Sequence, residues 1–550
     1  MTDETALTEV EGIKARSNFL RGSLHKSLLD PVSGAIASDD TQLSKFHGFY
    51  QQDDRDQRGE RARQKLEPLY SFMIRARVPG GICTPQQWLG IDALAQRYGG
   101  SVVRLTTRQA FQLHGVIKEE LKPTIAAINQ NLMDTIAACG DVNRNVMCSP
   151  LVERSIVHRD ALHWAQQIST LLTPQTRAYH EIWLDGEKLE APDREPIYGP
   201  TYLPRKFKIA VAIPPVNDVD VLAHDLGYTA VEHEGRLIGF NVSVGGGMGA
   251  THGDARTAPR LADVIGFCTP DQVLSVAEHV VGIQRDFGDR TNRKHARLKY
   301  TIADRGVDWF VNLLAERMGT ALATAKPIRF DRRGDPFGWF RDDSGRHHVT
   351  LFVPSGRLED RGEQRFLSAL RAIAELDVGE FRLTANQNLI IADLTDQQRN
   401  AVDAAIREHG IDLWRRLPPI GQTAMACVAL PTCSLAMAEA ERGLPEIVDR
   451  IHALMTKHGL ADDPLSVRVT GCPNGCARPY VAEIGLIGKA PGRYNLHLGG
   501  DALGTRLNTL VAQNLSLDAI DQHLDPLLAR YASHRQTGEA FGDFLTRMPS

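Results

Sequence analysis

Four of the chain's eight cysteines, Cys427, Cys433, Cys472 and Cys476, fall within 50 residues, and their spacing is the strongest chemical signal in the sequence. They read C-x5-C and, after 38 intervening residues, C-x3-C. Clustered thiols in a chain with few cysteines point to metal or redox chemistry. A catalytic dithiol wants C-x-x-C and a c-type haem wants C-x-x-C-H, and neither is present here. Zinc knuckles take C-x2–4-C, which the second pair fits and the first does not. A [4Fe–4S] cubane presents four well-separated corners, so longer spacers with turns suit it best. Zinc and unrelated thiols remain the competing readings. Pro473 and Gly475 lie between the second pair and argue against a helix there, because proline fixes φ and glycine favours turn angles. The expected form is a loop that wraps two sulfurs and several backbone N–H groups around one object.

A second candidate is "YLPRKFKIAVAIPP", where Lys206 and Lys208 stand two residues apart. On an extended segment both side chains leave the same face. Two cations about 4 Å apart at an effective dielectric of 20 repel by roughly 4 kcal/mol. A bound dianion reverses that sign. A solvated strand face is the plain alternative, and the apolar residues on either side weigh against it.

The elements that must position these groups show a faint repeat. "RLTTRQ" begins at Arg104 and "RLTANQ" at Arg382; "VPGG" begins at Val78 and "VPSG" at Val353. The two echoes come in the same order at nearly equal offsets, 278 and 275 residues, which predicts duplicated units with related clefts. "SFMIRARVPGG", "SVVRLTTRQAFQLHGVI", "KFKIAVAIPP" and "LIGFNVSVGGGMGA" read as strands entering turns. "PTIAAINQNLMDTIAAC", "HWAQQISTLLTP" and "TPDQVLSVAEHVVGIQRDFG" have helical spacing, the last with Pro270 near its start and Gly288 past its end. "VGGGMGA" matches G-x-G-x-x-A from Gly245, but "THGDARTAP" after it is no helix, and a dinucleotide phosphate needs a helix N-terminus. A glycine-rich turn packed on a bound group is the better reading, so electrons for any redox step must come from another protein.

Bulk properties narrow the class. A chain of 550 residues has room for roughly three or four domains of about 150 each. A net charge of −4 gives no general case for nucleic acid or an acidic membrane surface. The start of the chain has acidic residues and no apolar signal core, and no apolar run reaches the roughly 20 residues of a membrane span. The expected location is cytoplasmic. Cys83, Cys139, Cys148 and Cys268 are scattered and read as small buried hydrophobes.

"CVALPTCSLAMAEAER" followed by "VTGCPNGCARPYVAEIGLIGKAPGRYNLHLGG" resembles the siroheme-dependent sulfite and nitrite reductase family, in its assimilatory branch. "FHGFYQQDDRD", "RVPGG", "RLTTRQAFQLHG", "DVNRNV", "TYLPRKFK" and "TANQNLII" resemble it too, in the family's order, over nearly the whole chain. The resemblance implies an α+β (mixed α/β) architecture of three domains with an internal pseudo-two-fold. Its implied divisions are an extended arm at 1–70, a duplicated ferredoxin-like domain from 71–136 with 338–415, a siroheme- and substrate-binding domain at 137–337, and a domain at 416–550 for the cluster and siroheme. It implies six-electron reduction of sulfite to sulfide, serving cysteine biosynthesis, with nitrite to ammonia as the alternative. In the family the four cysteines hold a [4Fe–4S] cluster and the last, here Cys476, also ligates siroheme iron. Arg75, Arg144, Lys206 and Lys208 match the family's anion-binding positions. Arginine suits gripping an oxyanion and lysine suits giving up a proton. Arg104, Arg108, Gln112 and His114 look like the siroheme-embracing stretch, expected as a ladder on one strand face, with Asn474 beside the cluster or macrocycle. "GCARPY" resembles the ferredoxin-dependent branch and "KAPGRYNLHLGG" the branch served by a flavoprotein (alpha) subunit, so the implied donor is that flavoprotein, with ferredoxin possible.

Overall fold

The sequence echo is an echo of structure. The computed structural model describes residues 6–151, 155–176, 183–184, 187–188 and 194–549. In it the first half runs Tyr70–Ala76, Ile82–Cys83, helix Pro85–Tyr98, Val103–Leu105, Phe111–Val116 and helix Leu121–Gln130. The second runs His347–Leu351, Arg357–Leu358, helix Phe366–Glu375, Glu380–Leu383, Leu389–Leu394 and helix Asp396–Glu408, element for element. Each half lends its short strand to the other's sheet: Ile82 lies opposite Arg382, and Arg357 opposite Arg104. Such reciprocal pairing is what a two-fold axis requires. Trp88 of the first half stacks on Phe381 of the second at 5.7 Å between ring centres, so the core between them is shared.

The Val-Pro turns exist to let these strands cross. Gly81 has φ +80°, and a Cβ there would stand 2.5 Å from the Leu383 carbonyl oxygen. At the matching position Gly356 has φ +72°, and its Cβ would stand 2.2 Å from the Leu105 oxygen. Gly356→Ala is therefore expected to cost about 1–3 kcal/mol in backbone strain alone, seen as a lower unfolding midpoint, with Gly81→Ala behaving alike.

The duplication reaches further than the sequence suggests. The central sheet places Met147–Cys148, Ile209–Ala212 and Leu226–His233 in parallel, followed by antiparallel Arg236–Val244 and Asp263–Cys268. The C-terminal sheet repeats this with Met425–Ala426, Val467–Thr470 and Ile484–Ala490 in parallel, then Arg493–Leu498 and Thr509–Leu515. The registers agree residue for residue. Met147 faces Ala210 as Met425 faces Arg468, and Ile209 faces Leu226 as Val467 faces Ile484. Helix Ile156–Leu171 matches helix Leu444–Lys457, and helix Val273–Phe287 matches helix Leu517–His534.

Three expectations change. The arm at 1–70 is only partly extended: it holds helix Glu9–Arg16, adds strand Phe49–Asp53 to the first sheet, and buries Ile13, Leu20, Phe46 and Phe49. The helix expected over "PTIAAINQNLMDTIAAC" stops at Gln130, because Leu132 and Ala137 take positive φ. The donor ladder is a hairpin and not one strand. Arg104 and Gln112 are cross-strand partners, and Arg108 sits in the turn between. Cys83, Cys139, Cys148 and Cys268 are buried as expected. Among the described residues no helix is long and apolar enough to cross a membrane.

Candidate active site

Strands Met425–Ala426 and Val467–Thr470 are parallel neighbours, so the chain leaves both at the same edge of the sheet. Carboxyl ends of parallel strands are where open sheets place ligand loops. Here the two loops carry Cys427 with Cys433, and Cys472 with Cys476. Their backbone turns inward toward sulfur. Gly471 N–H donates to Cys427 Sγ at 3.4 Å, the N–H groups of Leu435 and Ala436 face Cys433, and Asn474 approaches Cys472 Sγ with its backbone N–H and with its amide at 3.6 Å. Burial and the charge of Cys476 push the other three thiols up, Cys472 to about 11. The four groups thus sense one another. Yet no set of three or more His, Cys, Asp or Glu among the described residues is placed to hold a single metal ion. Four thiols on two adjoining loops that sense one another's charge suit the wide corners of a cubane.

Gly475, at φ +61°, lets the second loop pass under the glycine turn of the central domain. A Cβ there would meet the Met248 oxygen at 3.0 Å, and Ala250 N–H donates to the Pro473 oxygen at 2.9 Å. Thr107 Oγ1, from the hairpin of the first half, donates to the Cys476 oxygen at 3.0 Å. No helix follows Gly245–Ala250, so that turn is a packing element and not a phosphate cradle.

The loops open into a cavity of about 560 Å³ that brings together most of the sequence-derived candidates. Arg75, Arg104, Gln112, His114, Arg144, Lys206, Cys427, Cys433, Asn474 and Cys476 line it; Arg108, Lys208 and Cys472 do not. Its wall holds seven lysines and arginines against one carboxylate, Asp141, which is already paired with Arg293 at 2.8 Å and Lys14 at 3.8 Å. Among the described residues Arg205, Lys206 and Lys208 have no hydrogen-bond or ion-pair partner on their side chains. Burial first, then Arg205 and Arg144, pushes Lys206 well below the ordinary lysine range. Burial, Lys206 and Arg108 do the same to Lys208. A bound anion offsets both the burial and the mutual repulsion of side chains so placed. His114 adds an unfilled valence. Its Nδ1 meets Gln52 Oε1 at 3.0 Å, its buried Nε2 has no partner, and burial with Arg104 nearby keeps the ring neutral. The residues therefore fit a polycarboxylate macrocycle beside a cluster.

Individual positions refine the expected roles. Arg75 donates to the Ala138 oxygen at 3.4 Å, and with the Gln112 amide turned so that its oxygen faces the guanidinium, which satisfies both groups, Nε donates to that oxygen at 3.1 Å. Arg144 lies 3.2 Å from the Gly140 oxygen and 3.5 Å from the Tyr50 hydroxyl. Arg104 lines the cavity but spends its charge on Glu441, which also accepts from Arg357. Arg108 points behind the wall, donating to the carbonyls of Asn145 at 2.6 Å and Ile209 at 3.0 Å. It thereby pins the strand starts that carry Arg144 and Lys208. The sequence reading missed Lys45, Tyr50 and Arg205. Lys45 is lowered to about 8 by burial and Arg293, and Tyr50 is raised to about 12 by burial and the adjacent Cys139. "FHGFYQQDDRD" contains Tyr50 and directly follows Lys45, and "PRKFK" contains Arg205, but nothing in spacing distinguished the three from their neighbours.

Behind the cavity Asp220, 1% exposed, receives Arg333 at 2.6 Å, Arg468 at 2.6 Å and Arg478. Burial would raise this carboxyl, and the three guanidinium groups hold it well below the usual range. Asp220→Asn leaves three buried cations facing an amide, so a loss of about 3–5 kcal/mol is expected in denaturant unfolding.

Comparison with known proteins agrees with this geometry. The model described as nitrite/sulfite reductase ferredoxin-like half domain matches residues 64–131 and 340–409, the two exchanged halves. The model described as nitrite and sulphite reductase 4Fe-4S domain matches 163–322. The chain is 60% identical over 541 residues to the sulfite reductase [NADPH] hemoprotein beta-component of Myxococcus xanthus, covering 98% of this chain and 96% of that one. It belongs to the nitrite and sulfite reductase family. The component of the same name from Acidithiobacillus ferrooxidans is 54% identical, covering 99% of this chain and 97% of the relative. The structure of Mycobacterium tuberculosis NirA superposes with a TM-score of 0.79 at 24% identity, over 98% of this chain and 96% of that one, and shares the fold. In this family member the 4Fe-4S match falls on the central unit while the four cysteines lie in its C-terminal copy. The shared topology of the two sheets accounts for that.

Proposed function

We propose that this chain is the siroheme-bearing subunit of an assimilatory sulfite reductase, reducing sulfite to sulfide. The observation that carries it is the meeting, in one cavity, of two inward-turned loops bearing four cysteines with a cation-rich wall, in which Arg205 and Lys206 have no side-chain partner among the described residues. Cys427, Cys433, Cys472 and Cys476 hold the cluster, and Cys476, the exposed thiol on the cavity wall, is the sulfur shared with siroheme. Gln112, His114, Asn474 and Arg104 hold the macrocycle from the hairpin and the cysteine loop, with Arg108 bracing them from behind. Residues 137–337 form the siroheme and substrate domain, 416–550 the cluster domain, and 71–136 with 338–415 the paired ferredoxin-like domain.

Siroheme joined to a [4Fe–4S] cluster would pass the six electrons from the external donor to sulfite, which no side chain can do. The chain's own part is to bind and to deliver protons. Arg75 and Arg144 are permanently charged donors that hold the oxyanion and draw charge from its oxygens. Lys206 and Lys208 hold protons at Nζ that burial makes easy to release and that a bound dianion retains. Each of sulfite's three oxygens takes two protons to leave as water, so poised donors on one face are what the reaction needs. A flavoprotein alpha component is the electron donor, as the name of the relatives, an NADPH enzyme's beta-component, supports.

The test is a visible spectrum of anaerobically purified protein, before and after sulfite, with siroheme extracted in acid. A siroheme spectrum that shifts on sulfite addition, with faster turnover of sulfite than of nitrite, is expected. A protein colourless even after cofactor reconstitution would refute the reading, and faster nitrite turnover would move it to the family's other activity.

A further inference from the structure

The N-terminal segment does more than cover the first sheet. Immediately after strand Phe49–Asp53, Arg55 crosses to the first cysteine loop. Its Nη1 donates to the Cys433 oxygen at 3.1 Å and to the Ala436 oxygen, and its backbone N–H donates to the Pro431 oxygen at 3.3 Å. Three carbonyls of the turn 431–436 are thus gathered on its outer side. On the inner side the N–H groups of Leu435 and Ala436 face Cys433 sulfur. The next residue, Asp56, binds Arg442 at 2.7 Å and fixes the far end of the same segment. Thr107 holds the carbonyl of Cys476 from the other side, so one cysteine loop is gripped by the N-terminal segment and the other by the hairpin of the first half.

We propose that Arg55 is a positioning residue for the iron–sulfur cluster: it locks the turn that aims two N–H groups at Cys433 and sets a fixed positive charge beside that ligand, raising the cluster's reduction potential. Cluster potentials respond to hydrogen bonds on sulfur and to nearby charge. Reduction adds an electron, so a guanidinium and inward N–H dipoles favour the reduced state. This inference rests on the four cysteines being the cluster ligands, as proposed above.

The experiment is a redox titration of the full chain followed by electron paramagnetic resonance, with iron and acid-labile sulfide measured on each sample. Arg55→Met is expected to keep its siroheme spectrum while the cluster midpoint moves to more negative potential. Arg55→Lys, which keeps the charge and loses the fork, should recover most of the shift. An unchanged midpoint in Arg55→Met with full iron content would overturn the proposal. If Arg55→Met fails to assemble a cluster, Arg55→Gln is compared with Arg55→Lys: a lower midpoint in the glutamine variant supports the proposal, and equal midpoints overturn it. A wild-type protein with siroheme but no cluster would instead remove the ligand assignment, and this inference with it.

Discussion

Cys476→Ser is expected to abolish sulfite reduction while leaving a folded protein. Cys476 is the exposed member of the four and adds nothing to the apolar core, so its replacement removes chemistry and not packing. Its loop is held by other atoms: Thr107 on the Cys476 carbonyl, Ala250 on the Pro473 carbonyl, and the close approach of Gly475 to Met248. All survive the change of Sγ to Oγ. The unfolding midpoint should therefore stay within the ±0.5 kcal/mol of an ordinary surface change. What disappears is a soft thiolate that a serine hydroxyl does not replace as an iron ligand. Iron, labile sulfide and the visible spectrum of the purified variant check this directly. Cys268→Ser, far from the cavity and buried, is the contrasting control: it should perturb stability and leave cofactor content alone. Full turnover by Cys476→Ser would require a different sulfur to occupy its place.

The sequence carried the site more legibly than the fold. Cysteine spacing and the pair Lys206 and Lys208 were visible because few residue types can ligate iron or hold a proton, so their placement stands out without a fold. The first repeat was visible because "VPGG" and "VPSG" both need glycine where strands cross. The second repeat was hidden. Nothing obliges Met147 to resemble Met425's surroundings beyond a buried strand, and periodicity cannot report a register. With the register known, the logic of the duplication appears. Arg144, Lys206 and Lys208 immediately precede the first copy's strands; by register their counterparts before the second copy's strands are Gln422, Pro464 and Ser466. The cysteines follow the strands of the second copy; by register the first copy has Ser149, Ser155, Pro214 and Asp218 at their places. One cleft thus takes Arg144, Arg205, Lys206 and Arg293 from one copy and its thiols from the other, with Lys45, Arg75 and Arg104 added from outside both. The related cleft, about 940 Å³ and lined by Gln422, Pro464 and Ser466, has no cysteine in its lining, and its arginines Arg332, Arg333, Arg468 and Arg535 stand among five carboxylates. The hairpin misreading had a local cause: "RLTTRQAFQLHG" alternates well enough for one strand, and only the tertiary pairing of Arg104 with Gln112 shows the turn.

Lys206→Ala and Lys208→Ala should each lower kcat by about 10²–10⁴-fold, the range of a lost proton donor, with siroheme and cluster spectra retained. The alternative is that these lysines only bind. Arginine separates the two, since it keeps the charge but does not release a proton in the working range. If binding is the role, Lys206→Arg restores activity and Lys206→Ala mainly raises KM. If proton delivery is the role, Lys206→Arg stays slow at near-normal KM. Arg144→Met gives the complementary pattern, a raised KM, because its guanidinium lies against the Gly140 carbonyl and Tyr50 with charge to spare for an oxyanion. Lys206 and Lys208 flank the buried Phe207, whose backbone N–H donates to the Val142 oxygen at 2.9 Å. Their backbone is thus held whichever side chain they carry, and a loss of rate reports the ammonium groups. The double variant should be no slower than about the worse single one if the two act as one relay, and multiplicatively slower if each serves a different oxygen.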